Sequence, residues 1–225
     1  MTYTKFTLRL SAALLALSAC SPLPPPAAPA SPPPHAAAVQ AQQPADSGPL
    51  LHIDSARSLI VATVRRGGML ARLGHDHVVA SHAISGSVSP SRNHADFTFR
   101  LDQMKIDEAD LRQAAGLEKQ PSADAIEGTR FNMLNKVLDA DRYPLVRVQA
   151  ERLATDQPLR VAITLHGVTR TLEVPVELRE EAGAIQVKGA FTLKQTDFGL
   201  TPFSVMAGAM SVQDQMELRF DLLAK

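Results

Sequence analysis

From residue 50 onward, the chain alternates between apolar and polar positions along most of its length. The alternation is clearest in residues 158–178, where two runs with an apolar residue at every second position flank Gly167. A period of two predicts half-buried antiparallel strands, and a glycine between two such runs predicts a tight reversal. This segment is therefore predicted to be a β-hairpin with one apolar face and one polar face.

The same pattern predicts further strands on both sides of this hairpin. The predicted strands cover residues 51–65, 79–88, 95–101, 146–151, 159–165, 171–178, 185–193 and 216–222. Residues 102–140 change to helical spacing, with Ser122 as a plausible N-cap, and predict a short helical insertion. Eight mostly sequential antiparallel strands predict an all-β fold that closes into an eight-stranded antiparallel barrel, with a sandwich as the alternative.

The first 19 residues are predicted to be a secretory signal peptide of the lipoprotein type. Lys5 and Arg9 precede an apolar run, Leu10–Leu17, which is too short to span a membrane. The run ends in the sequence LSAC, and Cys20 is the only cysteine of the chain, so no intramolecular disulfide can form. These features predict acylation at Cys20; the alternative is an ordinary signal cleaved nearby, which leaves Cys20 free or removes it.

Residues 20–49 are predicted to be a disordered linker rich in proline and alanine, because ten of the chain's sixteen prolines lie here. Residues 50–225 then form one domain with a real core. The chain has 23 basic and 23 acidic residues and no tryptophan. The balance of charge argues against nucleic acid as a partner. The absence of tryptophan argues against a stacking platform for bases.

Four segments resemble the YceI-like family of lipid- or polyisoprenoid-binding proteins. They are YPLVRVQAERL from Tyr143, LHGVTRTLEVPVEL from Leu165, FTLKQTDFGL from Phe191 and VQDQMELRFDLLAK from Val212. They span the second half of the chain in the family's order, and residues 84–88 and the strand of Phe97 fit more loosely. The resemblance implies a lipocalin-like barrel whose interior holds an isoprenoid or similar amphiphile, in a bacterial secreted or periplasmic setting.

The strand faces supply candidate residues for a lipid-binding cavity. They are Phe97, Phe99, Val146, Val148, Val161, Ile163, Val174, Val187, Phe191 and Phe220. The same residues would line a filled barrel core, so the alternation alone does not distinguish a cavity from a structural barrel that holds nothing. The resemblance to the family favours the cavity.

A histidine-rich stretch, GHDHVVASH, does not belong to the family pattern. His75, His77 and His82 are potential ligands for zinc, copper or nickel, with Asp76 beside them. On an extended strand His75 and His77 point to the same side, whereas His82 has the opposite parity. Metal binding by this stretch is the alternative function, and a polar, hydrogen-bonded loop at the barrel rim is the alternative structure.

The chain has no nucleophile elbow, phosphate-binding loop or paired metalloprotease histidines, and no enzymatic activity or cofactor is predicted. The predicted function is an extracytoplasmic carrier or reservoir for a lipid-like ligand. The predicted location is the periplasmic side of a bacterial membrane, through an anchor at Cys20, or the periplasm or exterior if Cys20 is not acylated. A homodimer is left open as a further partner.

Overall fold

The computed structural model describes residues 48–117 and 119–225. The predicted signal peptide, Cys20 and all but the last two residues of the predicted linker lie outside these residues. The strands are β1 (Leu51–His52), β2 (Leu59–Gly67), β3 (His77–Ser81), β4 (Ile84–Ser89), β5 (His94–Arg100), β6 (Lys105–Ile106), β7 (Leu145–Glu151), β8 (Leu159–Leu165), β9 (Val168–Val174), β10 (Val176–Glu181), β11 (Ala184–Lys194), β12 (Ser204–Val205) and β13 (Met210–Ala224).

Two α-helices interrupt the strands where the sequence predicts a helical insertion. They are α1 (Ala109–Ala114) and α2 (Ala123–Asn132), and a π-helical turn, Met133–Val137, continues α2. The Ser122 hydroxyl accepts a hydrogen bond from the Ala125 backbone N–H, as its predicted N-cap role requires. Within the described residues, no helix has the length and the apolar composition needed to cross a membrane.

The first sheet has six antiparallel strands in the order β1-β4-β5-β7-β8-β9. The predicted hairpin of residues 158–178 supplies β8 and β9, and Leu165 pairs with Val168 across a two-residue turn. His166 and Gly167 both have positive φ in this turn, at 52° and 74°, a geometry that strongly favours glycine at the second position. The predicted reversal at Gly167 is confirmed.

The second sheet has seven strands, six of them in the order β10-β11-β13-β2-β3-β6, with β12 paired to β13. Its centre is β13, a 15-residue strand that pairs with β11 on one side and β2 on the other. The β13–β2 register shifts between Val212 and Met216, which marks an irregularity near the start of β13.

The predicted closed, eight-stranded barrel is wrong. The described residues form 13 strands in two sheets, and no ladder closes them into one barrel. One physical reason is Pro175, which lacks a backbone N–H and cannot donate to a ladder; it divides the predicted strand 171–178 between β9 of the first sheet and β10 of the second. The two sheets also meet where Ile53, just after β1, forms a bridge with Ala224 at the end of β13. Beside this bridge, His52 and Lys225 exchange two backbone hydrogen bonds of 2.9 Å.

The main core lies between the two sheets and contains side chains from both, including Phe97 of β5 and Leu193 of β11. A second, smaller core lies on the opposite side of β2 and β3. There Val61 and Val78 pack with Leu111 of α1. As a result, β2 is buried on both faces.

Candidate ligand-binding cavity

An apolar cavity of about 590 Å³ lies between the two sheets. Strands of both sheets line it, because every second side chain of a strand projects to the same face. Phe99 and Val146 contribute from the first sheet, and Val187 and Leu218 contribute from the second. The volume falls within the range of about 300–1,000 Å³ that is typical of small-molecule sites.

All ten residues that the sequence predicts for a lipid cavity line this space. They are Phe97, Phe99, Val146, Val148, Val161, Ile163, Val174, Val187, Phe191 and Phe220. Protein interiors are ordinarily close-packed, with few voids larger than a water molecule. A space of this size therefore favours a ligand-holding domain over a filled core. That these side chains contact a ligand remains a prediction.

Two aromatic rings from adjacent strands of the second sheet meet on the cavity wall. The rings of Phe191 and Phe220 are 6.3 Å apart between centroids in an edge-to-face arrangement. Gly189 lies opposite Phe220 in the ladder, and a Cβ there would come within 2.6 Å of the Phe220 ring. The absence of a side chain at Gly189 thus makes room for the ring.

Sequence patterns missed a second group of lining residues. These are Ile60, Ala62 and Val64 of β2, Thr129, Asn132, Met133, Val137 and Leu138 around α2, Leu73 and Phe203 outside the strands, Val205 of β12 and Met210 at the start of β13. Because β2 is buried on both faces, its alternation does not indicate which face meets the cavity. Helical and loop residues have no strand parity that could place them there.

The cavity opens to solvent at one end. Three of its lining residues, Arg66, Leu73 and Val205, are exposed. Arg66 lies near the end of β2, Leu73 in the turn that follows, and Val205 in β12. These segments adjoin one another: the β12–β13 pairing joins Val205 to Met210, and Arg66 pairs with Val212. They form the mouth of the cavity.

Near this mouth the cavity wall becomes polar, and His77 is one of its polar groups. His77 Nδ1 lies 2.6 Å from Oδ2 of Asp107, whose side chain is 0% exposed. The other carboxylate oxygen accepts hydrogen bonds from the Val78 backbone N–H at 3.1 Å and from Arg112 Nη1 at 2.6 Å. Asp107 thus connects β3 to α1 and fixes the orientation of the His77 ring.

The balance of forces on Asp107 keeps it ionised. Burial alone would raise the pKa of this carboxyl, but hydrogen bonds and charge from His77, together with donors on Val78 and Arg112, hold the pKa below its usual value. An ionised carboxylate only accepts hydrogen bonds. His77 Nδ1 therefore carries a proton and donates a hydrogen bond to Asp107, which leaves Nε2 on the cavity side.

Thr129 of α2 stands on that side. Its Oγ1 lies 3.4 Å from His77 Nε2 and donates a hydrogen bond to the Ala125 carbonyl at 2.8 Å. The single hydroxyl hydrogen of Thr129 is thus already used by Ala125, so the arrangement differs from a nucleophile whose proton is held by a base. Both Thr129 and His77 line the cavity, which suits them to hydrogen bonding with a ligand.

His75 also lines the mouth end of the cavity. Burial lowers the pKa of its imidazole, and the nearby charges of His77, Lys119 and Arg112 lower it further. The rings of His75 and His77 are 6.1 Å apart between centroids. This end therefore presents one histidine whose pKa is lowered by burial and nearby charges, and one that is paired with a carboxylate.

The predicted metal-ligand set is not brought together. His77 pairs with Asp107. His82, whose side chain is exposed, places its Nε2 atom 2.7 Å from Glu108 Oε2 instead. Among the described residues, no group of three histidine, cysteine or acidic side chains is placed to hold a metal ion. The metal-binding alternative therefore gains no support from the structure.

The domain is thus a two-sheet antiparallel β fold with an apolar cavity and a small polar end. The family model of the YceI-like domain matches residues 51–224. This chain belongs to the YceI-like family. The family predicted from the four sequence segments is confirmed.

Solved structures agree with this fold. One is a polyisoprenoid binding domain from Saccharophagus degradans implicated in plant cell wall breakdown, which is 12% identical with a TM-score of 0.56; the match covers 78% of this chain and 97% of that domain. Another is Burkholderia cenocepacia BcnA, which is 16% identical with a TM-score of 0.52; the match covers 77% of this chain and 99% of that one. A comparison with curated proteins gave no match.

Proposed function

We propose that the domain binds a lipid- or isoprenoid-like amphiphile, with the apolar chain in the cavity and the polar head near His77. The cavity of about 590 Å³ between the sheets carries this proposal. Each methylene group buried there contributes about 0.8 kcal/mol. The polyisoprenoid-binding neighbour from Saccharophagus degradans, which shares the fold, supports the same class of ligand.

We further propose that the protein acts outside the cytoplasm as a carrier or reservoir, without catalysis. The short apolar run before Cys20 and the proline-rich segment after it support a lipid-anchored domain on a tether. The polar end of the cavity supplies hydrogen-bonding groups for a head group. The Thr129 hydroxyl beside His77 donates its hydrogen to the Ala125 carbonyl and not to the histidine, which supports a role without catalysis.

The test is native mass spectrometry of the full chain expressed in bacteria, with solvent extraction of the same sample. We expect an extractable hydrophobic adduct of several hundred daltons, as a ligand that fills a cavity of this size requires. Replacing Ala62 and Ala150 with tryptophan fills part of the cavity, because both alanines line it. If the tryptophan side chains exclude two methylene groups of the ligand from the cavity, the affinity for the ligand falls by about tenfold or more.

A matched control is Ala162→Trp. Ala162 lies on β8 between the cavity-lining residues Val161 and Ile163, so its side chain projects from the other face of the strand. We expect this variant to retain the adduct. Absence of any adduct in the wild-type chain, also after incubation with bacterial lipid extract, would contradict the proposal, as would equal loss in the cavity and control variants.

The head-group position is tested with His77→Phe. A phenyl ring keeps the approximate shape of the side chain and removes both ring nitrogens, so a ligand loses its hydrogen bond with Nε2. We expect affinity for the extracted ligand to fall by about tenfold, as the loss of one hydrogen bond of about 1.5 kcal/mol implies. Affinity is measured by titration of the delipidated protein.

His82→Phe is the control for this prediction, because His82 is exposed, pairs with Glu108 and does not line the cavity. Its affinity should equal that of the wild type. A saturated hydrocarbon without a head group should bind both His77→Phe and wild type equally. If His77→Phe lowers the affinity for the hydrocarbon as much as the affinity for the extracted ligand, the head group of the ligand does not lie at His77.

A further inference from the structure

The mouth of the cavity is surrounded by exposed apolar side chains. Eight large apolar residues are exposed in the described part of the chain, and five of them lie at this end. These five, which we call the rim, are Met69, Leu73, Phe131, Val205 and Met206, and they are between 39% and 90% exposed. Clustered exposed apolar groups of this kind mark an interaction surface, whereas isolated ones need no explanation.

Contacts between three segments hold the rim together. The Leu70 backbone N–H donates to the Ala209 carbonyl at 2.7 Å, which joins the Met69 turn to the Met206 turn. Lys136 Nζ lies 5.7 Å from the ring centroid of Phe131 and 5.8 Å from that of Phe203, a residue of the cavity wall. The rim is therefore one surface around the mouth.

Exposed cations flank the rim. The sequence RRGGMLARL, residues 65–73, has three arginines and no acid, and residues 201–210 carry no charge. Glu217 pairs with Arg65, and Asp76 lies 3.8 Å from Arg66. Arg72 and Lys136 are exposed beside the apolar residues. Exposed apolar groups with flanking cations complement the surface of an anionic bilayer.

We propose that the rim docks on an anionic lipid bilayer, so that the mouth of the cavity opens into the membrane. A hydrophobic ligand then passes between bilayer and cavity without crossing water. The exchange of ligand rests on the function proposed above, whereas the docking itself rests only on the rim and its charges.

The chain enters the domain at the end away from the rim. Residues 48–50 lead into β1, which meets Ala224 at the end of β13, whereas the rim adjoins Met210 at its start. A strand of this length measures about 45 Å. The entry point of the chain therefore lies away from the rim.

The experiment places a polarity-sensitive fluorophore on single cysteines of the full chain. In a Cys20→Ser background, the labelled variants are Met69→Cys, Met206→Cys and the control Leu153→Cys. Leu153 is 63% exposed, and its loop adjoins the turn at Asn93, beside the end of β4 that pairs with β1, away from the rim. The vesicles contain either phosphatidylcholine alone or phosphatidylcholine with about one third phosphatidylglycerol.

We expect a blue shift and stronger emission from the two rim labels with the anionic vesicles and no change from the Leu153 label. Replacing Arg72 and Lys136 with glutamine should weaken the partitioning of the rim labels by about fivefold for each cation removed. Equal shifts at all three sites would show non-specific adsorption and overturn the proposal, as would no shift at the rim.

A shift at the rim that appears without vesicles and grows with protein concentration would assign the surface to a second copy of the chain and overturn the proposal as well. Extraction of the same wild-type sample separates this result from the proposed function. Docking without an extractable lipid would contradict the proposed function alone. An extractable lipid without docking would contradict this inference alone.

Discussion

Replacing Asp107 with asparagine is expected to lower the free energy of unfolding by about 3 kcal/mol. The change leaves Arg112 buried without its carboxylate partner, since the Arg112 side chain is 4% exposed and pairs with Asp107 at 2.6 Å. Asparagine is nearly isosteric and tolerates the φ of 58° at this position, so the loss reflects charge and hydrogen bonding. Chemical denaturation of the full chain measures it.

The control is Asp102→Asn, because Asp102 pairs with Arg100 on the surface with both side chains nearly half exposed. Exposed pairs of this kind contribute little, and we expect no measurable change. Equal effects at the two positions would show that the buried pair contributes no more than a surface pair.

The effect of Asp107 also has a defined pH dependence. The folded-state pKa of this carboxyl lies below its value in the unfolded chain. Its contribution is therefore fully present above about pH 4 and is lost as the pH falls through the folded-state pKa. The difference in stability between wild type and Asp107→Asn should shrink in that acidic range.

Replacing Gly86 with alanine is expected to destabilise the fold by about 3 kcal/mol, the upper part of the range for overpacked sites. A Cβ at this position would lie 2.2 Å from the Asp96 carbonyl oxygen and 2.4 Å from the Phe97 Cα. Both are backbone atoms of β5, the strand paired with β4. A rotamer change cannot relieve this overlap, so the two strands must move apart.

Gly128→Ala is the matched substitution in the same chain. Gly128 lies inside α2, and a Cβ there would meet nothing within 4 Å. Alanine in a helix interior is favoured over glycine, so this change should stabilise the fold by about 0.5–1 kcal/mol. Thermal unfolding of both variants should show a loss of stability for Gly86→Ala and a gain for Gly128→Ala. If both variants are destabilised, the steric overlap at Gly86 is not the cause of the loss.

The alternation of the sequence was sufficient to predict the cavity wall in the strands with one apolar face. Val146 and Val148 of β7 and Val161 and Ile163 of β8 all follow the predicted parity. Periodicity works here because the outer faces of these strands carry polar side chains such as Arg147. The apolar side is then unambiguous.

The same reasoning fails where a strand is covered on both sides. In β2, α1 buries Val61, while Ile60 and Ala62 face the cavity, so both parities are apolar and neither stands out. The number of sheets was also not predictable, because alternation describes one strand at a time and does not determine which edges pair. Pro175 offered a signal: a proline inside an alternating run disfavours a continuous strand.

The polar end of the cavity could not be assembled from sequence. His77 was singled out, but its partner Asp107 lies 30 residues away, inside the predicted helical insertion, and Thr129 lies 52 residues away. Sequence patterns carry no information on contacts at that separation. Only the fold brings β3, α1 and α2 together around one imidazole.

The position of β13 has a consequence for the order in which the molecule is made. This strand is the last of the fold in the chain, yet it lies at the centre of the second sheet between β11 and β2. Its partner residues in β2, such as Ala62 for Leu218, are separated from it by more than 150 positions. During synthesis β2 can therefore pair with β13 only after all of the chain between them has been made. The reliance of the second sheet on such distant pairings makes refolding slow.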